Sequence, residues 1–167
     1  GGIGAVFGAK NLKAVAISRG KENIPIYNHE LHGKLADDLL KLVIQSSGGS
    51  TIDKYGTLGF VPGAHESGNL PVKNYITSIF PDFDKISGQY MRARFEHRPK
   101  PCWACRIRHL TYMKVTEGPN KGFEGEEPEY EDAAAFGSQI GNPDAGSVVM
   151  LTNLADRLGI DANESGW

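Results

Sequence analysis

From Asn28 onward, leucines recur every three or four positions, at Leu31, Leu35, Leu39 and Leu42, with Val43 beside the last. That spacing lines one face of a 3.6-residue helix. Asn28 has the side-chain oxygen that an N-cap needs, so a helix is predicted over 28–45, stopped by SSGGS at 46–50. The rhythm before it is different. KAVAIS at 13–18 reads as a β-strand, and it follows GGIGAVFGAK, with four glycines in ten residues. Residues 50–76 have no clean period and carry six glycines and prolines after Tyr55, which predicts short helical turns and an irregular connection. Residues 129–140 have helical composition around Ala133, Ala134 and Ala135, with Gly141 as a stop. Asn142 is read as the cap of a last helix with Pro143 at its first position, Val148, Leu151, Leu154 and Leu158 as its buried face and Gly159 as its C′ residue. A β-containing start followed by a mostly helical remainder makes the fold class α+β.

Composition narrows the setting. The chain has 167 residues, a formal net charge of −2, 40% hydrophobic and 23% charged residues, so it reads as a soluble globular protein. No basic stripe suits nucleic acid, no apolar run approaches the ~20 residues of a membrane span, and no charged-then-apolar leader is present. Two closely spaced cysteines in an otherwise cysteine-free chain fit a cytoplasmic metal or redox site better than a secreted disulfide framework. The sequence opens without methionine on a glycine-rich loop and stops at Trp167 as another unit begins, as expected of an internal piece of a longer polypeptide.

Chemistry concentrates in PCWACRIRHLTYMKVTEGPNKGFEGEEPEYE, residues 101–131. Cys102 and Cys105 have C-x-x-C spacing, and His109 follows four positions later. On residue type alone four readings stay open: a structural zinc, an iron–sulfur cluster, a redox dithiol, or two free cysteines. Glu124, Glu126, Glu127, Glu129 and Glu131 are interleaved with Gly125 and Pro128 at the mouth of the next helix, where carboxylates are electrostatically favoured. In an enclosed site one of them would exchange protons near neutral pH. Arg92, Arg94, Arg98 and Lys100 form a local basic patch, either a solvated face or a receiver for an anionic ligand or partner. His29, His32, His65 and Glu66 have no cluster beside them; the first two are read as surface or capping residues and the last pair as a solvated loop pair or the lining of a cleft. The glycines of residues 1–10 would let backbone N–H groups approach a ligand, yet the order of parts is not the strand–G-x-G-x-x-G–helix of a dinucleotide fingerprint. A tight turn ahead of an edge strand is the plain reading.

Four blocks in order resemble the tungsten-containing aldehyde:ferredoxin oxidoreductase family: GGIGAVFGAKNLKAVAIS; YGT at 55–57 with Gly59; GNLPVKN at 68–74; and the cysteine loop followed by EEPEYE. The resemblance implies that residues 1–20 close a pterin-binding N-terminal domain and residues 21–167 open a helical, cluster-binding one. It implies one tungsten held by two pyranopterins, a neighbouring [4Fe–4S] cluster, and magnesium bridging the pterin phosphates. Gly1, Gly2, Gly4 and Ala5 would then offer backbone to those phosphates, in place of a plain turn. Cys102 and Cys105 would be cluster ligands, Glu126 would face the metal site, Glu127 would stand where the family has glycine, and Glu129 and Glu131 would be structural. His109 occupies the third position of the family's C-x2-C-x3-C loop, so the resemblance makes it a candidate histidine ligand. The implied reaction is aldehyde oxidation to a carboxylate with electrons passed to ferredoxin or an iron–sulfur subunit, in a protein compatible with an oligomer. CWAC, EEPEYE and LGIDANESGW also resemble the branch that holds the catalytic subunit of class II benzoyl-CoA reductases, in which Glu126 or Glu127 would supply protons to an aromatic acyl-CoA. A scaffold subunit that has lost its cluster is the non-catalytic alternative, on the strength of His109.

Overall fold

The computed structural model describes residues 3–20 and 23–167, so Gly1 and Gly2 lie outside the described residues. The chain divides into two compact units, Gly1–Leu39 and Leu40–Trp167.

In the first unit, residues Ile3–Ala9 form a short helix, α1, so Gly4 and Ala5 sit in helical backbone and not in the expected loop. Apolar Ile3, Val6 and Phe7 have helical spacing on it, and all three are exposed. Residues 13–18 form no strand. A strand requires a ladder partner for its backbone groups, and the one sheet among the described residues is built entirely from later segments. The leucine helix is present as α2, His29–Gln45, and the Leu31 amide donates to Asn28 Oδ1 at 2.9 Å, so the cap is the expected one. Its stripe is not buried: Leu31, Leu35, Leu39 and Leu42 are each 51–66% exposed.

The second unit opens by converting the expected stop into a restart. Ser46 Oγ accepts from the Gly49 amide at 3.0 Å and caps α3, Ser47–Tyr55. The aperiodic stretch then becomes short helical pieces, as its composition predicts: a 3-10 turn at Thr57–Phe60, α4 at Val61–Glu66 and a 3-10 turn at Lys73–Tyr75; a further 3-10 turn follows at Phe83–Ile86. His65 is engaged by two neighbours in the chain. Its ring stacks on Phe83 with centroids 4.1 Å apart, and its Nε2 accepts from the Phe80 amide at 3.2 Å. Helix α5, Gly88–Arg94, leads into an antiparallel meander of β1 (Glu96–Pro99), β2 (Thr111–Lys114) and β3 (Glu124–Glu126). Pro99 pairs with Thr111 and Tyr112 with Glu126. On β2 the residues alternate, Thr111 and Met113 inward and Lys114 outward, which gives the sheet one core face.

Helices α6 (Tyr130–Phe136), α7 (Ala145–Leu158) and α8 (Ala162–Ser165) complete the unit. Asn142 does not cap α7. Asp144 does, accepting from Ser147 N at 2.7 Å, while Asn142 Oδ1 accepts from Asp144 N at 3.0 Å. The buried face of α7 is Ala145, Gly146, Val148, Val149, Thr152 and Ala155, with Leu154 and Leu158 exposed. Small residues set that rotation: a Cβ on Gly146 would stand 2.9 Å from Val115 Cγ1, so the helix seats where its side chains are least bulky and the leucines turn outward. Gly159 does end the helix in the left-handed conformation, at φ 68°. Leu58, Val61, Ile86, Met91, Met113, Val115, Val148 and Val149 are fully buried at the centre of the core.

Candidate functional site

The two cysteines lie in the loop of the β1–β2 hairpin. The Pro99–Thr111 pair closes the ladder, and the Lys100 amide donates to the Leu110 carbonyl at 2.9 Å, so residues 101–109 are the loop proper. Within it the Cys105 amide donates to Cys102 O at 3.1 Å, a tight turn that carries both residues. Ala104 and Arg108 take positive φ values of 59° and 58°, the tight bends that let nine residues close between adjacent strands. Cys102 is exposed, Cys105 half-buried, and both are free thiols.

The carboxylate segment lies against the base of this loop, brought there by the β2–β3 pairing. Glu126 and Glu127 go to different places. Glu126 is half-exposed and its carboxylate pairs with Lys100 Nζ. Its backbone is held from behind by Asn153 on α7, whose Oδ1 accepts from Glu126 N at 2.8 Å and whose Nδ2 donates to Glu126 O at 2.9 Å. Gly125 makes that approach feasible, since a Cβ there would lie 2.5 Å from the Asn153 amide group. Glu127 is buried. Arg92 Nε and Nη2 donate to its two oxygens at 2.8 and 2.6 Å, and Thr111 Oγ1 donates to Oε2 at 2.9 Å.

His109 joins the two segments. Its Nε2 is 3.3 Å from Glu129 Oε1, and its carbonyl accepts from Arg92 Nη2 at 2.5 Å. Glu129 Oε2 in turn accepts from Thr57 Oγ1, which accepts from the Tyr130 amide at 2.9 Å. Asp132 Oδ2 takes the Glu129 amide at 2.9 Å. Burial is the main reason that the Asp132 carboxyl is pushed up to about 6, with Asp156, Glu129 and Glu131 adding like charge against the hydrogen bond that opposes them.

The donor set is therefore split. Two free thiols on one turn fit soft-metal or iron–sulfur ligation in chemistry and in spacing. The His109 ring faces a carboxylate, and among the described residues no group of three or more His, Cys, Asp or Glu is gathered as a metal site. Gly4 and Ala5 lie on exposed α1. The expected basic patch disperses. Arg92 is buried under the site, Arg94 reaches Glu117 at 3.4 Å, and Arg98 lies 4.8 Å over the Tyr112 ring. Sequence reasoning missed Arg92 as a site residue, along with Asn153, Thr111 and Thr57. Each acts across 16 to 73 positions of sequence. The one local signal was a second glutamate, Glu127, beside Glu126, since a buried carboxylate demands a cation.

A family model described as aldehyde ferredoxin oxidoreductase, domains 2 and 3, matches residues 34–167. The chain is 36% identical over 172 residues to the tungsten-containing aldehyde ferredoxin oxidoreductase of Pyrococcus furiosus and 32% identical over 171 to that of Thermococcus kodakarensis. It is 31% identical over 173 residues to the aliphatic sulfonate oxidoreductase, WOR-like subunit, of Pyrococcus furiosus. Each match takes in 99% of this chain and 26 or 27% of the relative, so the chain spans about a quarter of the length of the curated relatives it matches. Among the described residues no helix is long and apolar enough to cross a membrane. With the family model covering most of its length and the relatives aligned end to end along it, the chain belongs to the aldehyde ferredoxin oxidoreductase family.

Proposed function

We propose that this chain supplies the cluster-binding loop and the proton-handling carboxylate of a cytoplasmic tungsten-pterin oxidoreductase that oxidises aldehydes to carboxylates. The supporting observation is the junction at β2, where the hairpin loop bearing Cys102 and Cys105 and the segment bearing Glu126 are held side by side. Residues 1–20 would close the pterin domain and residues 21–167 open the helical one, with Gly1, Gly2, Gly4 and Ala5 offering backbone to the phosphates and their magnesium. Cys102 and Cys105 would hold the [4Fe–4S] cluster, with His109 as the candidate third ligand. When bound, the tungsten bis-pyranopterin supplies two-electron redox chemistry and the cluster carries single electrons to a ferredoxin or an iron–sulfur subunit.

The residues of the chain divide the remaining work. Glu126 has a carboxylate whose only described partner is the flexible Lys100 ammonium, on a backbone fixed by Asn153, so it takes up at its own oxygen a proton released as the aldehyde and a water become the carboxylate. Glu127 has both oxygens committed to Arg92 and Thr111; we assign it to holding the framework and leave proton handling to Glu126.

Metal analysis of the full-length protein, purified without oxygen, tests the reading. About one tungsten and about four iron atoms per chain are expected, and their absence would leave the scaffold alternative. Viologen-linked oxidation of simple aldehydes, run beside reduction of an aromatic acyl-CoA, separates the oxidative from the reductive branch; turnover of the acyl-CoA alone would overturn the aldehyde assignment. Glu126→Gln is expected to lower kcat about 10²–10⁴-fold with metal content unchanged. An unaltered cluster spectrum in His109→Ala would remove His109 from the ligand set.

A further inference from the structure

We propose that Arg92 is a positioning residue that locks the cysteine loop and the carboxylate segment into one rigid body. It rests on the reading above only in what that body holds. A guanidinium offers five N–H donors in a planar fork, and Arg92 uses that fork on three separate segments. Nε and Nη2 grip Glu127 at 2.8 and 2.6 Å, Nη2 also donates to the His109 carbonyl at 2.5 Å, and Nη1 donates to the Lys54 carbonyl near the end of α3 at 2.7 Å. His109 is the last residue of the hairpin loop, and Glu127 follows directly after Glu126. Two further bonds tighten the same junction: the Glu127 amide donates to Thr111 O at 2.9 Å and Thr111 Oγ1 to Glu127 Oε2 at 2.9 Å.

Burial gives the arrangement its selectivity. The Arg92 and Glu127 side chains are only 11% and 2% exposed, so solvent cannot replace a lost partner. A buried ion pair by itself is a poor argument for stability, because a well-packed apolar pair often does as well. An apolar pair could not hold the His109 and Lys54 carbonyls, however. Nor could lysine, whose single ammonium cannot span both Glu127 oxygens and two carbonyls on different segments. The fork is therefore spent on alignment. It fixes the end of the loop that carries the thiols relative to the strand end that carries Glu126.

The test is hydrogen–deuterium exchange on the full-length protein, comparing Arg92→Lys with a core variant of α7, Val148→Ala, as a control for general destabilisation. Arg92→Lys is expected to raise exchange about tenfold at 101–110 and at 124–131 together, with α7 unchanged. Val148→Ala should instead raise it broadly. Faster exchange in only one of the two segments, or the broad pattern of the control, would overturn the coupling. Glu127→Gln keeps one acceptor and removes the charge, and should show the same paired response at smaller amplitude; if Arg92→Lys does not fold, this variant decides. Where the wild-type protein carries iron, release to a chelator should be faster in Arg92→Lys than in Val148→Ala. A wild-type protein without iron would refute the iron–sulfur reading while the exchange pattern still decides the role of Arg92.

Discussion

Asn153 shows how one side chain can fix the backbone of Glu126, the carboxylate proposed above to handle the proton. Its amide reads both backbone groups of Glu126 and also donates to Val149 O at 2.8 Å, so three hydrogen bonds converge on one carboxamide. Asn153→Ala should therefore destabilise the protein by about 2–3 kcal/mol, the usual cost of leaving such backbone groups unpaired, and should lower kcat as Glu126 loses its anchor. Asn153→Asp should be worse than alanine, because a carboxylate oxygen would then face the carbonyls of Glu126 and Val149. Thermal unfolding of the three proteins checks the order, and aspartate proving milder than alanine would refute the clamp. A second residue-scale prediction concerns Lys73, Asn74 and Tyr75, which take φ values of 45°, 50° and 64° in succession. Asparagine tolerates the left-handed region and a β-branched residue does not. Asn74→Val should cost about 1–2 kcal/mol more than Asn74→Gly, although both lose the Gln139 contact at 3.4 Å. Equal unfolding midpoints would count against a strained turn.

At the scale of elements, what the sequence revealed depended on range. Caps and stops are local, and Asn28 and Gly159 were legible because each works on its own neighbours. The helix expected to run to Gly141 instead ends at Phe136 with Gly137 as its cap, and Gly141 closes only a 3-10 turn, Ser138–Ile140. The α7 cap was displaced by two residues because Asp144 and Asn142 are both good acceptors, and only the packing of Gly146 on Val115 chooses between them. The strand expected at 13–18 failed for the complementary reason, since β-propensity cannot supply a partner. The cysteine turn and the glutamate run were visible as types, but their junction through Arg92, Thr111 and Thr57 was not, because those contacts follow from the meander and leave no periodic trace. Helix α6 carries its own prediction. Asp132 sits in its first turn with the carboxyl raised to about 6, mainly by burial and then by Asp156, Glu129 and Glu131. An acid whose folded value lies above its ordinary 3.8 binds more protons folded than unfolded, so its contribution is favourable at low pH and is lost as pH rises from about 4 to about 6. Asp132→Asn keeps an acceptor for the Glu129 amide and removes the buried charge. It should stabilise the protein above pH 6 by about 1 kcal/mol, after allowance for partial solvent screening, and flatten the stability profile between pH 4 and 6. Parallel profiles for the two proteins would show that the carboxyl is not the source.

For the whole molecule, the distribution of buried residues matters more than the number of helices. Among the described residues of Gly1–Leu39 none is buried, and the hydrophobic core is drawn entirely from Leu58 onward. Ile3, Val6 and Phe7 of α1 and the leucine stripe of α2 stand exposed within this chain, while Ala36, Leu40 and Val43 are half-buried. Folding free energy in the second unit must come from burial of that core, since hydrophobic transfer scales with area removed from water. Among the described residues ahead of Ser46 none is fully buried, so that stretch draws mainly on local helix formation. An isolated helix of the length of α2 is marginal in water because nucleation is costly and tertiary packing normally supplies the rest. The stretch 46–167 should therefore fold without the residues ahead of it. A polypeptide of residues 46–167, beginning at the Ser46 cap, is expected to unfold cooperatively within a few degrees of the 167-residue chain, about what loss of non-core segments allows. Residues 1–45 alone should show weak helicity that falls gradually on heating. Limited proteolysis of the 167-residue chain should likewise cut ahead of Ser46 and leave the remainder intact, because cleavage concentrates where backbone opens without breaking core contacts. Circular dichroism melts of the two pieces decide the matter: a non-cooperative melt of 46–167 would mean that the core is completed by residues ahead of it, contrary to the burial pattern.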